Sequence, residues 1–219
     1  MSISKNNHDV FREFFDEVKP IRLKEPLAET LGAFKEKNAI LEYTFADTVK
    51  MAGHACPTVA SAYIACEKAL EELYPNSVPV RGSISITAYG EPDEGVYGVM
   101  SQVFSFITGA AWVTGFGGIA HKFKRKGLLE FSQKRIDTEA MCFRFKRIDN
   151  NKSILVKLSP KNIDFPAKKA GRLSELLEKV IWEAAKENEI EEFRDLWMEK
   201  VKNITDRNNL NKWLKIKDD

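Results

Sequence analysis

Apolar and polar positions along this chain change period several times, and each change marks an element. Phe11, Phe14 and Phe15 follow Val10 at helical spacing ahead of Pro20, and Pro26 with Leu27, Leu31 and Phe34 predicts a second short helix beginning near its proline. Phe45 to Ala52 reads as another helix, ended by Gly53. From Pro57 to Tyr74 the residues Val59, Tyr63, Cys66, Leu70 and Leu73 recur every three or four positions, with Glu67, Lys68, Glu71 and Glu72 on the other face. That is the pattern of an amphipathic helix, and Pro75, Asn76 and Pro79 end it. Ile84 and Ile86 then alternate with Ser83, Ser85 and Thr87 inside the segment 80–88, which predicts a strand.

Tyr97 to Thr108 is almost continuously apolar and has few charges for a solvent face, so it predicts a buried helix. Gly109 closes it, and Thr114 to Ile119 follows as a glycine-rich loop where backbone can approach a ligand or a neighbour closely. Three more strands are predicted over 126–133, 140–148 and 153–158, and their short separations favour antiparallel pairing. Beyond Pro166 the chain turns charged and helical, with an apolar stripe of Leu173, Leu176, Leu177, Val180 and Ile181 and shorter helical pieces through Trp197 and Trp213. The pattern predicts an α+β fold, a mostly antiparallel sheet packed against helices. It divides into a core domain over 1–165, with its N-terminal helices, and a helical C-terminal extension over 166–219 that covers the core.

Composition narrows this further. At 219 residues with 43% hydrophobic side chains, the chain can bury one substantial core. Its 34 basic and 32 acidic residues nearly cancel, which argues against a nucleic-acid partner, and the basic run His121 to Lys126 reads as a solvated segment. Met1 to His8 lacks the apolar run of a secretory signal and no stretch has the length of a membrane span, so a cytoplasmic protein with no membrane partner is expected. The three cysteines, Cys56, Cys66 and Cys142, form no Cys-x-x-Cys pair and are expected to be reduced.

The chemistry concentrates at Gly53-His54-Ala55-Cys56-Pro57. Pro57 suits a first helical turn, which puts the Cys56 sulfur near unsatisfied N–H groups and the positive end of a helix dipole, a setting that favours thiolate. A neutral imidazole at His54 and a thiolate at Cys56 both suit zinc or another borderline divalent transition metal, but the pair supplies two of the three or four ligands required. His121, directly after the glycine loop, is the candidate for a third. Cys56 as a nucleophile assisted by His54 or His121 is the enzymatic alternative, and Cys56 as a plain buried hydrophobe in the wall of a noncatalytic sensor is the other. Thr87, Tyr89 and Gln102 could add hydrogen bonds if their elements pack beside the Cys56 helix. No Walker motif, dinucleotide fingerprint, Gly-x-Ser-x-Gly elbow or His-Glu-x-x-His helix is present.

Gly53-His54-Ala55-Cys56-Pro57, followed by a small-residue helix with Tyr63, resembles the Gly-His-x-Cys-Pro-Gly opening of the formylmethanofuran dehydrogenase E-type subunit family. Gln102 to Gly109 and then Gly115-Phe116-Gly117 resemble that family's buried helix ending in Thr-Gly and the glycine turn after it. The resemblance covers roughly residues 45–131. It implies an α+β core, a homodimer, and a cavity beside the His/Cys motif that holds a metal, zinc foremost. It further implies an accessory or enzymatic role in one-carbon or redox metabolism. His54, Cys56 and His121 are then the candidate metal ligands, His54 and Cys56 the candidate catalytic pair, and Tyr63, Thr87, Gln102 and Phe116 the candidate lining of a small-molecule or cofactor cavity. The chain departs from the family at Thr58, where a glycine is usual, at Gln102, where an acid is usual, and near Val99, where a cysteine is usual. It also carries no C-terminal zinc finger.

Overall fold

A computed structural model describes residues 11–219, so Val10 and the expectation for Met1 to His8 lie outside the described residues. The predicted first helix shrinks to a 3-10 turn at Glu13–Phe15. Phe15 stacks with Phe11 and stands edge-on to Phe14 and Phe45, so an aromatic cluster ahead of Pro20 replaces a continuous helix. Next come β1 (Ile21–Lys24), α1 (Pro26–Thr30) and β2 (Ile40–Tyr43), with β1 and β2 forming an antiparallel pair that the apolar pattern does not announce.

The α+β expectation is met. A five-stranded sheet runs in the order β4-β3-β5-β6-β7, built from β3 (Ile84–Ala88), β4 (Leu129–Phe131), β5 (Met141–Arg147), β6 (Ser153–Leu158) and β7 (Leu214–Asp218). Three of its pairings are antiparallel, and β3 with β4 is parallel. β5 follows β4 closely in sequence yet pairs with the far edge of β3, so the short connection crosses the end of β3 instead of forming a hairpin.

Alternation sorts the two faces of this sheet. Ile84, Ile86, Ala88, Phe143, Phe145, Ile154, Val156 and Leu158 are buried on one face, in register across three strands. Against that face lie α3 (Pro57–Leu73) and α4 (Tyr97–Thr108), where the Phe104 ring stands edge-on to Phe143 and Phe145 at 5.0 Å each. The opposite face carries Arg144, Lys146, Lys157, Lys215 and Lys217 around a small apolar group of Tyr89, Cys142 and Leu155.

α3 is enclosed on nearly all sides, because α2 (Phe45–Ala52), α4 and α6 (Glu187–Thr205) pack on it as well as the sheet. Its run of Ala60, Ser61, Ala62, Ala65 and Ala69 permits that close approach. One consequence corrects the amphipathic reading: Glu67, assigned to a solvent face, is only 3% exposed.

The C-terminal region is not wholly helical. α5 (Ala167–Ile181) packs on α6, and then the short α7 (Leu210–Trp213) leads into β7, which adds an edge strand to the core sheet through Leu158–Leu214 and Val156–Ile216 pairing. The residues expected to form a helical cover therefore also complete the sheet.

The C-terminus of α4 is tied down by charge. Arg81 donates from Nε to the Ile107 carbonyl at 3.0 Å and from Nη2 to the Phe106 carbonyl at 2.9 Å, satisfying helix-end acceptors. Its Nη1 reaches Glu25 at 2.9 Å, and the buried Arg125 guanidinium reaches the other Glu25 oxygen at 2.6 Å. Gly82 is required beside it, because a Cβ there would fall 1.1 Å from Arg125 Nη1 on a backbone with φ of +80°.

Candidate functional site

α2 begins with a capping box, in which the Thr44 hydroxyl accepts from the Asp47 N–H at 3.0 Å and the Asp47 carboxylate accepts from the Thr44 N–H at 3.0 Å. It ends at Gly53 with φ of +76°, a left-handed turn that redirects the chain. His54 and Ala55 form the connection, and Cys56 is the N-cap of α3, its sulfur accepting from the Val59 N–H at 3.5 Å. The expected placement of the His54/Cys56 turn therefore holds.

His54 is exposed, and its Nδ1 lies 3.0 Å from the Ala52 carbonyl oxygen. With the proton on Nδ1 donating to that carbonyl, Nε2 presents a lone pair outward. The Ala55 carbonyl accepts from Trp197 Nε1 of α6 at 2.9 Å, so the C-terminal region holds this turn in place. His54 lines a cleft of about 330 Å³ whose apolar walls are Phe11, Phe15, Val49 and Met198, with Arg12 at its polar side. Arg12 is itself paired with Asp195 at 3.1 Å.

The remaining sequence candidates do not gather there. Tyr63 is fully buried, and its hydroxyl sits 2.9 Å from the Lys19 carbonyl and 2.8 Å from the Tyr43 carbonyl, tying the approach to β1 and the end of β2 to α3. Burial pushes its pKa far up, with Glu67 adding to the effect, which leaves it a neutral donor. Thr87 sits on the sheet face away from the helices, beside Arg144 and Glu130 in register. Gln102 is exposed on α4, as is Val99. Phe116 is 44% exposed in the glycine loop. His121 is exposed in the same loop at φ of +68°, in a stretch where Gly118, Ala120 and Phe123 also have positive φ.

A zinc-type ion needs three or four ligands. Among the described residues no three His, Cys, Asp or Glu side chains come together to hold a metal ion, so His54 and Cys56 find no third ligand among them. Nor do the other thiols offer a nucleophile. Burial pushes the Cys66 thiol far up, reinforced by Glu67, and burial likewise raises Cys142. Among the described residues no imidazole hydrogen-bonds the Cys56 sulfur.

Two features lie beyond the sequence pattern. One is the buried Glu25, Arg81 and Arg125 group, whose members are far apart in sequence and announce themselves by no spacing. The other is the pair Glu67 and Tyr74, each with a buried oxygen that has no hydrogen-bond partner among the described residues. Here a signal existed, since Tyr63, Glu67, Leu70 and Tyr74 follow helical spacing and an acid stands within that stripe. No helix among the described residues is long and apolar enough to cross a membrane. No protein-family model matches the chain, and no curated protein matches it in sequence, so the resemblance to the formylmethanofuran dehydrogenase E-type subunit family rests on the motif residues themselves.

Proposed function

We propose that this chain is a noncatalytic small-molecule-binding protein whose ligand enters the cleft at His54. The supporting observation is that an imidazole opens onto a cavity with walls of Phe11, Phe15, Val49 and Met198, while the Cys56 thiol lies outside that lining and is used as a helix cap. Apolar walls supply affinity, and His54 with Arg12 supplies orientation. The outward Nε2 lone pair of His54 accepts and the Arg12 guanidinium donates, a combination that suits a compact primary amide with an apolar body. Benzamide is a suitable probe. Titration into the protein followed by amide NMR is expected to shift Val49, His54 and Ala55 saturably, and His54→Ala is expected to weaken binding by about threefold to tenfold. Benzamide that binds equally well to the His54→Ala protein sinks this reading.

A second reading keeps the metal, and with it the homodimer. It is favoured by the Ala52 carbonyl on His54 Nδ1, the kind of outer contact that fixes a metal-binding imidazole with Nε2 free. With two donors per chain, His54 and Cys56 of one protomer would need the same pair from its partner to reach the four ligands of a zinc site. His121 does not share the turn's cavity and is not needed in such an arrangement. The expected stoichiometry is one zinc per dimer, lost together with dimerisation in His54→Ala. Metal-free protein with an unchanged mass in light scattering overturns it.

A further inference from the structure

A second cavity, of about 200 Å³, lies between the approach to β1 and the C-terminal half of α3. Its apolar wall is Pro20, Ile21, Leu70, Val78 and Pro79. Two of its other lining residues are Glu67 and Tyr74, 3% and 6% exposed. Each carries a buried oxygen that no described group satisfies, Oε2 of Glu67 and the phenolic oxygen of Tyr74. Glu67 spends only its other oxygen, accepting from Arg207 at 2.5 Å with Lys19 at 3.7 Å. The Tyr74 hydroxyl lies near the Val80 backbone N–H without reaching hydrogen-bond geometry. The Arg147 guanidinium, 4.0 Å above its ring, fixes the ring's position.

A buried polar atom without a partner costs more than an ordinary hydrogen bond returns, so native chains rarely keep two in one place without something to satisfy them. We propose that this cavity is a ligand site for an elongated, neutral molecule with an apolar middle and a hydrogen-bonding group at each end. Glu67 and Tyr74 are seven residues apart in sequence, so they lie near one face of the helix and about 10 Å apart along its axis. A donor at one end of the ligand meets Glu67 Oε2, and a polar group at the other meets the Tyr74 hydroxyl. The volume is below the ~300–1,000 Å³ of sites for drug-sized molecules, which limits the ligand to about ten non-hydrogen atoms. Charge selects neutrality: Lys19 and Arg207 already pair with Glu67, and Lys19 with Glu71, so a further cation gains little and an anion meets the Glu67 carboxylate. The site is separate from the His54 cleft, and neither reading depends on the other.

4-Hydroxybenzamide has this size and disposition, and p-xylene has the shape without the polar ends. Titration of each into the full chain, followed by amide NMR, is expected to give saturable shifts at Leu70, Tyr74, Ser77 and Val78 with 4-hydroxybenzamide, at least about threefold tighter than with p-xylene. Tyr74→Phe is the decisive variant, because removing an unpaired buried hydroxyl leaves the fold's own hydrogen bonds intact. It is expected to keep or raise the melting temperature while weakening 4-hydroxybenzamide by about threefold to tenfold and leaving p-xylene unchanged. Equal affinity for the two probes, or an affinity that Tyr74→Phe does not change, overturns the proposal. So does a soaked crystal in which water alone occupies the cavity and satisfies Glu67 Oε2 and the Tyr74 hydroxyl.

Discussion

Glu67 and Glu71 stand one turn apart on α3 and are held in opposite senses. Burial pushes the Glu67 carboxyl above its ordinary range, with the Arg207 guanidinium opposing it. Burial acts upward at Glu71 too, but hydrogen bonds from Lys19 and Lys68 outweigh it and leave the group below the ordinary value of 4.5. A carboxyl whose folded pKa is raised is penalised at high pH, so Glu67 costs stability that appears as pH rises above 4.5 and is absent in acid. Glu71 contributes stability that is present above 4.5 and is lost as pH falls through its lowered pKa. Urea midpoints across pH 3 to 8 separate the two. Glu67→Gln is expected to match the parent at pH 3 and exceed it at pH 7. Glu71→Gln is expected to match the parent in acid and fall below it at pH 7, by no more than ~1 kcal/mol because the Glu71 side chain is 38% exposed. A Glu67→Gln protein weaker than the parent at pH 7 would show that the Arg207 contact outweighs burial.

At the scale of elements, what the sequence made legible was what local pattern alone can specify. The cap at Gly53, the helix beginning at Pro57, the buried helix over Tyr97–Thr108 and the alternation of Ile84 and Ile86 all carry their instructions within a few residues. β1, β2 and β7 do not, since strands of four or five residues exist here only through pairing with distant partners. The site was legible to the same depth: spacing placed His54 and Cys56 at a helix start, whereas Thr87 and Gln102 needed the strand face and helix face that only packing decides. The turn itself can be tested through Gly53. A Cβ there meets nothing within 4 Å, so Gly53→Ala strains only the backbone at φ of +76°. The expected cost is about 1 kcal/mol. Because that residue aims the connection, the amide resonances of His54 and Ala55 should shift while those of β5 and β6 stay in place. A Gly53→Ala protein with parental stability and unshifted His54 would mean the left-handed cap does not set the turn.

Across the whole molecule, stability is graded from the sheet outward. α3 touches the sheet, α2, α4 and α6, and Val59, Ala60, Ala62, Tyr63, Ala65 and Cys66 are fully buried within it. α6 leans on α3 and anchors the site turn through Trp197, while α5 packs on α6 and buries only Leu173 and Leu176. Ion pairs of Arg172 with Glu192 and of Lys169 with Glu199 join α5 to α6, but these are exposed contacts of small net worth. At the end of α5, Ile181 and Trp182 are 63% and 76% exposed and add little burial. Local opening should therefore start at α5, with α6 retained by α3 and by β7 beyond it. Hydrogen exchange is expected to release the α5 amides well before those of α3, β5 and β6. Leu176→Ala, which removes a fully buried side chain from the α5–α6 contact, should accelerate α5 alone and leave His54 and Ala55 unchanged. Trp197→Phe removes the donor to the Ala55 carbonyl and should do the reverse, loosening the His54 turn while α5 keeps its protection. Equal exchange of α5 and α3 in the parent protein would mean that the C-terminal helices and the sheet open as one unit, and that the site turn is held by the whole fold instead of by Trp197.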